Sequence, residues 1–337
     1  MTTLLASAQP RRSGDAPAPV GCQHGGVTRI AIVGSGRAAT LHAEAVRAVP
    51  GLELVGIGGR SIDTATSDAT ATLATALETS VVPLEQMIKT GAMDGIVVAV
   101  PAATTAAVLD QIPAELPVLV ESPGPLHLDQ VGMTAANLLH ASTVERALIA
   151  IQELGSAHHL ELRSRSIRPR WGHFETAPPT VGVLSAPGAG LVPVLLAAAG
   201  TAVETVSATL HRDGRATVVD ATLRLGLTDG RTVLARLSWT DTESEAEAEL
   251  EAASATGVAH LRLWPSVSLE LDGRAVKGRD ESPLVALGFV PQMQRFGDAC
   301  KGERTAWPPI SVGLGVDAIS RAAIASAAAD GAPVSPR

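Results

Sequence analysis

The sequence has no tyrosine, and only three phenylalanines and four tryptophans among its 337 residues. Without tyrosine, one general acid–base side chain is excluded, along with most of the aromatic surface on which bases or sugars stack. Cysteine is almost as scarce. Cys22 and Cys300 lie near opposite ends of the chain, which excludes a disulfide framework and a cysteine-rich metal site and fits a reducing, cytoplasmic compartment. There is no excess of positive charge either. A formal net charge of −8 argues against nucleic acid or an anionic membrane surface as a partner. No apolar run approaches the ~18 residues needed to cross a bilayer. Arg11 and Arg12 are followed by no long apolar stretch, so the sequence predicts no secretory or twin-Arg signal.

What remains is globular in composition, 46% hydrophobic and 18% charged, and long enough for two domains. Residues 1–27 are rich in Pro, Gly, Ser and Ala and read as a flexible leader. From Thr28 the pattern alternates. TRIAIV (28–33) reads as a buried strand, and a glycine turn and a helical pattern closed by Pro50-Gly51 follow. Further strands are expected at 52–57, 94–100 and 116–120, with a short one at Val81-Val82, and helices at 64–78, 83–91 and 104–112. That alternation predicts an α/β fold opening with a Rossmann-type, doubly wound parallel sheet over 28–124.

The remainder, 125–337, reads as an α+β domain with a mostly antiparallel open sheet. Strands are expected at 158–165, 204–212, 217–227, 232–240 and 259–263, and a final helix at 312–330. In Thr242–Glu251 (TESEAEAELE) the residues favour helix, but Glu243, Glu245, Glu247, Glu249 and Glu251 recur every second position. Only a strand gathers them on one face, so a strand with a solvated acidic face is expected.

The chemistry begins at Gly34-Ser35-Gly36-Arg37-Ala38-Ala39, placed between a strand and a helix. The first glycine permits a tight turn, the second lets backbone approach a pyrophosphate, and Ala39 allows close helix–strand packing, with the helix N-terminus facing the phosphates. The second strand should end in an acid if the adenosine ribose carries a free 2′-hydroxyl. Here Gly58-Gly59-Arg60-Ser61 follows, which points to a 2′-phosphate and to NADP over NAD.

The succession GSGRAA, LVGIGGRS, DGIVVAVP and PVLVESP, with the closing stretch FGDACKGERTAWPPISVGLGVDAISRAAIASAAADGAPV, resembles the glucose–fructose oxidoreductase, inositol dehydrogenase and rhizopine-catabolism (Gfo/Idh/MocA) family. The likeness covers most of 28–334. It implies NAD(P), hydride transfer at a small sugar-like or cyclitol substrate, and a C-terminal sheet that often forms an oligomer interface. It also implies that Val100, Pro101 and Glu121 lie by the cofactor.

The chain departs from the family where protons move. Ser122 stands at the family's Lys, Ala186 at its Asp and Gly190 at its His. Pro193 stands where a further Asp is expected. Ala102 and Thr105 replace an Asn and a His. A serine without a base beside it moves no proton at neutral pH. Two stand-ins are available. One of His158-His159 shares a strand face with Glu161, Arg163 and Arg165, a sheet expected to turn one face to the nicotinamide, and His159 is the named candidate. His173, in the Trp171-Gly-His-Phe loop, is the other. A metal site built from His158, His159 and His173 would need a specific fold-back, and no metal is expected.

Two main readings stay open, with a third behind them. One is an NADPH-dependent reductase of an imine, enone or ketone, with a biosynthetic intermediate as substrate. The other is a catalytically inactive relative that keeps the fold as a nucleotide-binding partner subunit or sensor. A non-redox enzyme reusing the pocket is a third.

Overall fold

The computed structural model describes residues 26–58, 64–121, 131–155, 157–170 and 181–337. The described chain divides into two units, one of residues 26–137 and 288–314, the other of 138–287 and 315–337.

The first unit is a five-stranded sheet in the order β2-β1-β3-β4-β5. It comprises β1 (Thr28–Val33), β2 (Leu52–Gly58), β3 (Gly95–Val98), β4 (Val118–Glu121) and β5 (Gly132–Ala135), all parallel. The crossovers are α1 (Arg37–Ala48), α2 (Thr64–Ala76), α3 (Leu84–Thr90) and α4 (Ala102–Leu109). Ile30, Ile32, Ile96, Val97 and Leu119 are fully buried. Their β-branched and aliphatic side chains pack on both faces of the sheet, as parallel strands under crossover helices require. Helix α3 ends where Gly91 takes a left-handed conformation, its N–H closing on the Ile88 carbonyl, the usual way a glycine satisfies a helix C-terminus. The expected strand at Val81 is an isolated bridge to Ile57.

Residues 288–314 join this unit although they follow the second in sequence. The helix Phe289–Cys300 lies close to the sheet because two glycines make room for it. A Cβ on Gly95 would fall 2.5 Å from Cys300 Sγ and 2.9 Å from Phe296 Cζ, and one on Gly297 would fall 2.6 Å from Leu52 Cδ2. Buried Thr134 on β5 ties the segment that follows, donating to the Pro309 carbonyl at 3.1 Å and accepting from the Gly313 N–H at 3.0 Å. The expectation of one uninterrupted C-terminal domain from 125 onward therefore differs from this division.

The second unit holds eight strands in the order β13-β12-β11-β10-β6-β9-β8-β7. These are β6 (His159–Ile167), β7 (Val203–Arg212), β8 (Val218–Leu227), β9 (Thr232–Thr240), β10 (Glu247–Ala253), β11 (Val258–Trp264), β12 (Ser268–Leu271) and β13 (Arg274–Val276). Neighbours are antiparallel except β6 and β9. Helices α5 (Ser142–Glu153) and α6 (Gly188–Ala199) pack on the face lined by Leu160, Leu162, Leu250 and Leu261. The sequence-based fold class, a Rossmann-type parallel sheet followed by a mostly antiparallel one, is what the structure shows.

Helices α7 (Pro283–Ala286), α8 (Phe289–Cys300) and α9 (Ile310–Ala328) complete the chain, and the unit boundary falls within α9. Contrary to the reading of no long apolar run, α9 is long and apolar enough, by length and composition, to cross a membrane. Val312, Val316, Ile319, Ala322 and Ala323 are nevertheless buried within the protein.

The acidic stretch is strand only from Glu247. Glu243–Glu245 form a 3-10 turn that reverses the chain after β9. Beyond it the alternation holds, and Glu247, Glu249 and Glu251 lie opposite Arg165, Arg163 and Glu161 on β6. The face is a lattice of ion pairs more than a solvated row of acids. Glu249 meets His260 at 2.9 Å and Arg163 at 3.6 Å.

Candidate nucleotide-binding site

The crevice of an open parallel sheet opens where successive crossovers leave a strand in opposite directions. Here that strand is β1, flanked by β2 and β3. Gly34 leaves β1 with φ +133°, and a Cβ there would collide with the Ala99 carbonyl oxygen at the end of β3. Its N–H is held by the Gly58 carbonyl at 2.9 Å, and Ala99 N–H by the Val33 carbonyl at 2.8 Å. The turn is thus clamped between the two strands beside it, and only glycine fits.

Gly36 is the residue before α1. It is exposed, and among the described residues a Cβ on it would meet nothing within 4 Å and no side chain caps the helix, whose first turn holds no acid. A helix N-terminus left open in this way presents backbone N–H groups and partial positive charge to an anion. Ala39 is fully buried, so the helix seats tightly on the sheet. Ser35 and Ala38 are half-buried at the mouth and Arg37 is exposed. Val100 is half-buried and Pro101 exposed just past β3. These residues fit the diphosphate of a dinucleotide, with backbone room where it must approach and, among the described residues, no side chain within 4 Å of a Cβ on Gly36.

Glu121 ends β4 with its side chain about a quarter exposed. Its Oε1 lies 2.7 Å from Nε2 of His42, which is completely buried on α1. Sequence reasoning passed over His42. Its signal was nonetheless present: Ala39, His42, Ala43 and Val46 form the buried stripe of α1, so helical spacing alone turns this imidazole inward.

Other sequence candidates lie elsewhere. Arg60, Ser61, Ser122, Trp171 and His173 lie outside the described residues. His159 is on β6 with its Nε2 3.6 Å from both Glu161 and Glu251. Strand alternation sets it on the face opposite Leu160 and Leu162, which α6 covers. The structure thus places His159 in the ion-pair lattice, away from the α6 side that carries Ala186 and Gly190. His158 is exposed. Thr105 is 1% exposed.

Leu191 and Pro193 on α6 are buried, whereas a Cβ at Gly190 would meet nothing. The Ala186 carbonyl accepts the Trp239 indole N–H at 2.7 Å. The Arg168 guanidinium lies 5.4 Å above the Trp239 ring and is itself bonded to Asp213, so the entry to α6 is pinned from the sheet.

Residues 28–142 match the model of an oxidoreductase family with an NAD-binding Rossmann fold, GFO_IDH_MocA. The match covers 115 of the 337 residues. No curated protein matches the sequence. Solved structures share the fold over nearly the whole chain. GenD2 from gentamicin A biosynthesis, in complex with NAD, is 22% identical, with TM-score 0.79 over 96% of this chain and all of its own. An oxidoreductase from Agrobacterium radiobacter, in complex with NAD+, L-tartaric acid and magnesium, is 16% identical, with TM-score 0.74 over 91% of this chain and 98% of its own. A myo-inositol 2-dehydrogenase from Lactobacillus plantarum is 16% identical, with TM-score 0.73 over 92% of this chain and all of its own. The matched segment holds the crevice between β1 and β3.

Proposed function

We propose that this protein is an NADPH-dependent reductase of a small carbonyl or imine intermediate, sugar-like or biosynthetic, working in the cytoplasm. The observation that carries the reading is the cradle itself, with Gly34 locked against Ala99 and Gly36 open at an uncapped helix start. When bound, a reduced nicotinamide supplies a hydride. The C=O or C=N carbon would receive it, and the heteroatom would take its proton from water or from His173. Ala186, Gly190 and Pro193 carry no titratable group, which favours substrates whose reduction needs little acid assistance. The same absence favours a second reading, a family relative that binds nucleotide without turnover and serves as a partner subunit or sensor.

The preference for NADPH rests on Arg60 and Ser61, in place of the acid that would bond a free 2′-hydroxyl. The similar structures seen with NAD or NAD+ do not favour it. In a fluorescence titration, NADPH is expected to bind at least ~10-fold tighter than NADH, the equivalent of one charge-assisted hydrogen-bond pair. Arg60→Ala should erase the difference. Equal affinities in the wild type would overturn the preference, and binding of neither nucleotide would overturn the reading as a whole. Nucleotide binding without oxidation of NADPH across a panel of imines, enones and ketones would favour the second reading.

We also propose that a second copy covers the open face of the eight-stranded sheet. That face carries Glu247, Glu249 and Glu251 on β10 beside Arg163, Arg165 and Arg236 on β6 and β9. Opposed rows of this kind complement themselves across a two-fold axis. Sedimentation should give a dimer, and Arg163→Glu with Arg165→Glu a monomer. A monomeric wild type would sink the idea.

A further inference from the structure

His42 is a buried imidazole for which the phosphate turn has no use. It is 0% exposed, and Phe289 closes one side of it edge-on, with ring centroids 5.5 Å apart at 73°. Its Nε2 lies 2.7 Å from Glu121 Oε1. Among the described residues nothing bonds its Nδ1. A proton on Nδ1 would be a buried donor without an acceptor, whereas a proton on Nε2 meets a carboxylate. The ring is therefore a donor to Glu121, aimed from below.

The consequence follows from strand order. The diphosphate site lies at β1 and α1, and the adenosine half of a dinucleotide runs toward β2. The other half must run over β3 and β4, the strands on the far side of β1. Glu121 is the last residue of β4. Oε1 is taken by His42, and among the described residues nothing bonds Oε2 of this partly exposed carboxylate, which leaves it for an outside donor.

We propose that His42 is a positioning residue: it fixes Glu121 so that Oε2 accepts a hydroxyl of the ribose next to the nicotinamide. This rests on the nucleotide-site reading and adds a residue that acts at one half of the ligand only. Because α1 carries both His42 and the phosphate-binding turn, a purely structural role would disturb both halves, and a positioning role only one.

The test uses two probes on the full chain in a calorimeter, NADPH and adenosine 2′,5′-bisphosphate, which lacks the nicotinamide riboside. His42→Leu is expected to weaken NADPH about 10-fold, the equivalent of one hydrogen bond to a charged group, and to change the bisphosphate less than about 2-fold. His42→Gln, which returns a donor N–H at the same reach, should recover most of the loss. Glu121→Ala should match His42→Leu, and the double variant should be no weaker than Glu121→Ala alone, as expected when one residue works through the other. Equal weakening of both probes, no weakening of either, or additive losses in the double variant would overturn the proposal and leave the nucleotide site standing. A wild type that binds neither probe would remove the site and the proposal together.

Discussion

Replacing Gly34 by alanine is expected to destabilise the nucleotide unit by about 3 kcal/mol or more, because a strained backbone conformation and a collision with main chain combine. The φ of +133° suits no L side chain, and the added Cβ would run into the Ala99 carbonyl, which is held in the sheet by its own residue's N–H to Val33. Neither partner can yield without opening the β1–β3 junction. Gly36→Ala should behave in the opposite way. Gly36 has an ordinary extended backbone, φ −84° and ψ −177°, and a Cβ there meets nothing. Its stability cost should stay within ~1 kcal/mol, the scale of a changed N-cap residue. Nucleotide affinity should nevertheless fall at least ~10-fold, since the methyl occupies the path of the diphosphate. Urea denaturation and nucleotide titration on the same two variants check both halves. Comparable stability losses in the two, or unaltered binding in Gly36→Ala, would contradict the cradle.

The contrast between the two glycines also shows what the sequence made legible. Their spacing after an apolar strand identified the turn, but which one is a structural necessity depends on Ala99, 65 positions on. Local pattern located the elements that carry periodicity. Thr232–Thr240 is the strand its alternation predicts, and the acids of β10 face one way despite residues that favour helix. It failed where the determinant is distant. Gly132–Ala135 is too short and too poor in β-branched residues to announce a strand, yet it is the edge strand that anchors residues 308–313 through Thr134. Nothing local in Phe289–Cys300 says that it returns to the first sheet, because that packing is licensed by two glycines in other contexts, Gly95 meeting Phe296 and Gly297 meeting Leu52.

The candidate site divides in the same way. The glycine turn was readable, being contiguous. The His42–Glu121 pair was not, since it joins a helix to a strand 79 residues away. The parity rule set His159 on the face of Glu161, Arg163 and Arg165, and it lies there. What parity could not reveal was which face α6 covers.

The face opposite α6 carries the other large effect, at Glu161. Its carboxylate is 2% exposed near the middle of the sheet, bonded at 2.6 Å by Arg163 Nη2 and at 2.6 Å by Arg236 Nε. Burial by itself would push this acid up, but the two guanidinium bonds and their charge outweigh it and hold it below the usual glutamate range. A carboxyl depressed on folding contributes stability that is present above its unfolded value, near 4.3, and is lost as pH falls through the lower folded value. Glu161→Gln should therefore cost about 1–3 kcal/mol at pH 7, between a surface pair and a buried one, because Arg163 and Arg236 remain half-exposed and can be resolvated. The gap between wild type and variant should narrow as pH falls below about 4.3. Asp213, Asp229 and Asp241 are lowered too, each by its hydrogen bond to an arginine, so the wild type stays acid-sensitive and only the difference between the proteins isolates Glu161. Denaturant titrations from pH 3 to 8 read it, and a gap that does not change with pH would refute the assignment. Repeating the titration across protein concentrations adds the decisive contrast: if a second copy covers the sheet, water cannot resolvate the arginines and the cost at pH 7 rises with concentration, whereas a solvated face gives the same cost throughout.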